Sequence, residues 1–132
     1  ATINLFAGGI QLLSAEHPYE KWANFPLAQK RFFDILTKYS IQTPIYLSGD
    51  RHIAEASSQE IKPNYWIYDI TSSGLTHSYD SLEEEPNQYR ISPLLTMLNF
   101  GKIEINWETS ELQAQIINVD GIPQFIQKIP FE

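Results

Sequence analysis

The chain has no cysteine in 132 residues, which excludes a disulfide framework and a thiolate zinc site and leaves the redox compartment open. Basic residues are scarce: nine Lys and Arg stand against sixteen Asp and Glu, a formal charge of −7. That balance argues against nucleic-acid binding by a basic surface. No stretch approaches the eighteen or so consecutive apolar residues of a membrane span, and no signal peptide is visible. An acidic chain can still take an anionic ester if divalent cations reverse the local field. The length sets a limit of one domain, residues 1–132, large enough to bury a core.

The stretch that organises the chain is Pro44-Ile-Tyr-Leu-Ser-Gly-Asp-Arg-His52. Ile45, Tyr46 and Leu47 do not alternate with polar residues, as expected of a strand covered on both faces in a parallel sheet. In open α/β sheets, ligands gather at the carboxyl ends of such strands. Gly49 lets the chain turn and approach a ligand closely. Asp50 and His52 follow, a carboxylate and an imidazole that together suit a hard or borderline divalent cation. Arg51 lies between them, and alternation points it the other way. Taken alone, Gly-Asp-x-His is equally consistent with an aspartate capping a turn and a hydrogen-bonded loop histidine.

Residues 3–7 read as a second buried strand, closed by Gly8-Gly9. Pro26 suits a first helical turn, and Ala28, Phe32, Ile35, Leu36 and Tyr39 recur at helical spacing, which predicts a crossover helix covering the sheet. A right-handed crossover aligns the carboxyl ends of the two strands, so that both glycine-bearing loops face one cleft. Residues 53–61 read as a short helix or turn, from which Glu55 could reach His52 across one helical turn. After the breaker Lys62-Pro63-Asn64, residues 66–71 form a strand of aromatic and β-branched residues that ends in Ser72-Ser73-Gly74-Leu75-Thr76-His77. Hydroxyls and amides in such a loop can hold phosphate oxygens, Ser73 among them, and His77 is a candidate ligand or proton donor. Residues 79–93, with Glu83, Glu84 and Glu85, read as a mobile, solvated excursion. Residues 102–107 and 112–119 alternate as strands, with a bulge, or a strand becoming buried on both sides, where Ile117 and Val119 break phase. Asp120-Gly121 marks a hairpin, and a final edge strand follows it.

Leu47-Ser-Gly-Asp-Arg-His-Ile-Ala-Glu55, Tyr68-Asp-Ile-Thr-Ser-Ser-Gly-Leu-Thr-His-Ser78 and Asn99-Phe-Gly101 with Ile103-Glu-Ile-Asn-Trp107 resemble the carboxyl-terminal half of the alkaline phosphatase D (PhoD-like) metallophosphoesterases. Upstream, Gly9-Ile-Gln11 and Trp22-Ala-Asn-Phe-Pro26 fit the same pattern in the same order. The resemblance implies a partial metallophosphoesterase-type α/β sandwich with a C-terminal antiparallel β meander. It implies a fragment of a metal-dependent phosphoric ester hydrolase, phosphatase or phosphodiesterase, in which two or more metal ions activate water. The amino-terminal half of the same protein, with its further metal ligands, would be a partner, and the fragment alone would be inactive. Asp50 and His52 occupy the place of the family's Gly-His-x-His motif, with Asp for its first His, which favours calcium, iron or manganese over a purely zinc pair. Gln11 stands where many such enzymes carry a metal-binding His; it reads either as an ordinary polar loop residue or as a group that orients a water or phosphate oxygen. A secreted or periplasmic location would accord with the family. The competing reading is a non-catalytic β-rich interaction domain with Asp50 and His52 as ordinary loop residues.

Overall fold

The computed structural model describes residues 1–132. Strands β1 (Asn4–Ala7) and β2 (Pro44–Ser48) pair in parallel, joined by the helix α1 (Pro26–Lys38) as the crossover. Pro26 opens that helix at its first turn, where its missing amide donor costs nothing. Strand β4 (Tyr65–Ser72) lies parallel to β2 on its other side, and β3 (Ala54–Lys62) runs antiparallel along β4, giving the order β1-β2-β4-β3. A second, antiparallel sheet follows as the meander β5 (Asn99–Asn106), β6 (Glu111–Asn118) and β7 (Pro123–Pro130). The architecture is mixed α/β, as the sequence implies.

Three layers result because successive residues of β2 face opposite ways. Ile45 joins Ala56 and Ile70 against Leu112, Ala114, Ile129 and Phe131 of the meander side. Tyr46 joins Ile67 against Leu36 of α1 and the loop residues Leu12 and Leu13. These side chains are all nearly or fully buried, and truncating a fully buried leucine such as Leu36 to alanine costs about 2–5 kcal/mol. The β6–β7 register shifts between Ile116 and Ile117, where the extra residue, Gln124, lies on β7; β6 pairs with β5 without interruption and buries both Ile116 and Ile117. Gly121, at φ 76°, makes the β6–β7 turn. No helix is long and apolar enough to cross a membrane.

Four local expectations change. Residues 54–62 form a nine-residue strand, not a helix or turn, paired with β4 through the Pro63-Asn64 turn. Residues 3–7 contain an edge strand: β1 pairs only with β2, and Leu5 is 47% exposed. The helix buries Leu36 and packs Phe32 and Phe33 inward, while Ile35 and Tyr39 are exposed. Trp107 lies one residue past the end of β5 and is exposed, its ring edge-on to Phe131 at 5.3 Å.

Candidate functional site

The parallel pairing places the carboxyl ends of β1, β2 and β4 at one edge of the sheet. Their loops meet around Gly49, where a Cβ would lie 3.7 Å from Gly9 O and 3.8 Å from Ser73 Cβ. The convergence expected from the right-handed crossover is therefore present, and the loop after β4 joins it.

Within the β2 loop, Arg51 N donates to Gly49 O at 2.8 Å, closing a three-residue turn centred on Asp50. Asp50 has φ 66° and His52 has φ 54°. Asp and His are among the side chains that enter this left-handed region more readily than most, but each such residue still costs roughly 1–3 kcal/mol. The turn sends the side chains of Asp50 and His52 outward into solvent and Arg51 inward, where it is 3% exposed. His52 O accepts the amide of Tyr79 at 2.9 Å, and Ile53 O accepts both the amide and the hydroxyl of Ser73, at 3.1 and 3.2 Å.

The exposed side of these loops gathers three rings. His52 lies 6.1 Å from His77 and 5.9 Å from Tyr79, centroid to centroid, with the planes tilted by 30° and 33°. The His77 Nδ1 pairs with Thr76 Oγ1 at 3.0 Å, leaving its Nε2 free. Asp50, His52, His77 and Ser73 thus stand at one sheet edge, with the histidines adjacent. No group of three or more His, Asp or Glu side chains converges anywhere in the chain. Catalytic zinc sites use about three protein ligands, so the donors of this chain do not complete a metal centre by themselves.

Beneath the loops runs a buried polar network. Gln11 is 1% exposed; its Nε2 donates to Glu55 Oε1 at 2.7 Å and Thr71 Oγ1 at 2.9 Å, and its Oε1 accepts from Arg51 Nη1 at 3.2 Å. Every polar atom of that amide is engaged inside the protein, where Gln11 ties the loop after β1 to Arg51, Glu55 and Thr71. Glu55, on β3, accepts from Asn87 at 3.0 Å and from Arg90 Nε at 2.5 Å. It does not reach His52, because a strand replaces the expected helical turn.

Residues 79–93 are correspondingly a strap rather than a mobile excursion. Glu85 holds Arg51 with two parallel bonds of 2.9 and 2.7 Å, Arg90 Nη2 donates to Glu85 O at 2.7 Å, and Ser58 N donates to Tyr89 O at 2.9 Å. The Arg51 guanidinium also stacks on Tyr19, 4.6 Å from the ring centroid.

Two further buried residues complete the support. Asp69 is fully buried within β4, and its carboxylate accepts from Leu12 N, Leu13 N and Ser48 Oγ. Burial pushes its pKa up to about 6 against the opposing pull of those bonds. A carboxylate inside an apolar strand was the sequence signal for it. His17 is buried, accepts the Tyr19 amide at Nδ1 and leaves Nε2 without a partner. Burial first, then the Arg51 charge, brings its pKa down to about 4.

The fold and its loop edge define the class: a three-layer α/β arrangement with polar, glycine-bearing loops at the ends of its parallel strands. Among solved structures it is similar to one titled "Structure of PhoD", at a TM-score of 0.66 and 14% sequence identity. The match covers 87% of this chain and 26% of that one, so this chain has a partial PhoD-like fold and spans about a quarter of the length of the structure it matches. No protein-family model and no curated protein matches the sequence.

Proposed function

We propose that the chain is part of a metal-dependent phosphoric ester hydrolase, a phosphatase or phosphodiesterase of the PhoD kind. In this reading Asp50 and His52 are metal ligands, His77 is a catalytic proton donor or further ligand, and Ser73 helps to hold the phosphate. The observation that carries the reading is the pairing of the His52 and His77 rings, 6.1 Å apart on separate strand-end loops. Both are solvent-facing, and the bonds that hold the β2 loop run through Arg51 and the backbone. Two exposed imidazoles, one of them on the loop that also carries the exposed Asp50, are donor types suited to a cation.

The remaining ligands would come from the amino-terminal portion of the same polypeptide, which accords with the partial coverage of the PhoD structure. Asp50 supplies a hard oxygen donor, so calcium, iron and manganese are the preferred ions, with zinc compatible with the imidazoles. The test is hydrolysis of chromogenic phosphate mono- and diesters with added manganese or calcium. The 132-residue chain alone should turn over little or nothing, and a longer polypeptide carrying the missing ligands should be active and lose activity on His52→Ala. Equal activity of wild type and His52→Ala in that longer polypeptide would refute the proposal.

A further inference from the structure

We infer that Glu85 and Tyr19 are positioning residues for this site, acting through Arg51 to hold Asp50 and His52 in the backbone conformation that aims them outward. The argument begins with the two left-handed residues, Asp50 and His52, which flank Arg51 on either side. Such a backbone persists only where its surroundings over-determine it. The one side chain of the triplet that points inward is Arg51, and both terminal nitrogens of its guanidinium are held. Glu85 binds it through both oxygens, Gln11 through one, and Tyr19 covers its flat face.

A planar guanidinium held in this way fixes orientation as well as position, which a lysine ammonium could not do. With Arg51 anchored, the residues before and after it are turned to the opposite side together. The strap that supplies Glu85 also touches the site at its other end, since the Tyr79 amide donates to His52 O. One segment therefore grips the β2 loop from beneath and from above. The inference rests on the proposed function for its purpose, but the geometry it predicts can be read without any hydrolysis.

The experiment is solution NMR with amide hydrogen exchange on the chain, comparing wild type with Glu85→Gln, Tyr19→Leu and Tyr19→Phe. Glu85→Gln and Tyr19→Leu should shift or broaden the ring signals of His52 and His77. They should also speed exchange of the Arg51 and Tyr79 amides at least tenfold, with exchange in β6 unchanged. Tyr19→Phe keeps the stacking face and should resemble wild type. Tyr19 is half exposed, so its variants test the idea even if Glu85→Gln does not fold. Faster exchange spread evenly over all strands, or unaltered His52 and His77 ring signals, would overturn the inference. If the loop responds as expected but the hydrolysis test fails, the metal reading falls and the positioning role stands.

Discussion

Asp69 and Leu12 are 57 residues apart in the chain, yet the Asp69 carboxylate accepts the Leu12 amide at 2.7 Å in a fully buried setting. The same oxygen accepts the Leu13 amide at 3.0 Å, and the other oxygen accepts Ser48 Oγ at 2.7 Å. One carboxylate thereby ties the loop after β1 to the ends of β2 and β4, the three places from which the site is built.

Replacing that carboxylate has two separable effects. Asp69→Leu leaves two buried amides without an acceptor and should cost roughly 2–5 kcal/mol by denaturant unfolding. Asp69→Asn keeps an oxygen for both amides, because Ser48 can turn its hydroxyl and accept, and it should fold. The wild-type pKa of about 6 lies above the ordinary 3.8. Between those values the folded state holds a proton that the unfolded state has lost. Asp69 therefore makes stability fall as pH rises from about 4 to about 6, by roughly 3 kcal/mol in all, and leaves it flat above. Asn should abolish that slope.

His17 acts in the opposite sense over nearly the same window. Its folded pKa of about 4 lies below the ordinary 6.5, so from about pH 4 to 6.5 the unfolded state binds the extra proton and stability rises with pH. The two slopes offset each other in the wild type. Unfolding curves of Asp69→Asn between pH 4 and 6.5 should show the rising histidine slope uncovered, and a flat profile would contradict the assignment.

Glu55 and Arg90 form the buried joint between β3 and the strap, with the glutamate fully buried and the arginine 18% exposed on its side chain. Removing one partner strands the other, so Glu55→Leu should cost roughly 3–5 kcal/mol and make residues 79–93 sensitive to limited proteolysis. Lys30 and Asp34 provide the contrast: both are largely exposed at successive turns of α1. Lys30→Ala should change stability by less than about 1 kcal/mol.

Gly8 is closed to any side chain, since a Cβ there would fall 1.8 Å from the Tyr46 hydroxyl oxygen, which accepts from Trp22 Nε1 at 2.9 Å. Gly9 next to it has nothing within 4 Å. Gly8→Ala should therefore destabilise by about 1–3 kcal/mol and disturb Trp22 fluorescence, while Gly9→Ala should do neither.

Much of this arrangement was legible in the sequence for a physical reason. The unbroken apolar run before Gly49 suits a short strand covered on both faces, and the glycine, carboxylate and imidazole after it fall where such strands end. Hydrophobic alternation and turn residues likewise marked β5, β6 and their turns. What was not legible depended on distant partners. Residues 54–60, Ala-Glu-Ala-Ser-Ser-Gln-Glu, have a composition that favours helix. They form a strand by pairing along β4, where Glu55 and Ser57 also meet Arg90 and Asn87 of a strap thirty or more residues away. Glu85 looked like one of three solvated acids until Arg51, 34 residues upstream, was seen to hold it. Trp107 was misplaced because alternation was carried one residue past the end of its strand.

The central claim is that Asp50 and His52, beside His77, take a divalent cation. Titration of the chain with substoichiometric manganese, followed by NMR line broadening, tests it most directly. The His52 and His77 ring signals and the Asp50 amide should broaden first, and His52→Ala should abolish the effect. Broadening confined to the acidic residues 83–84, or none near residues 50–52, would contradict it.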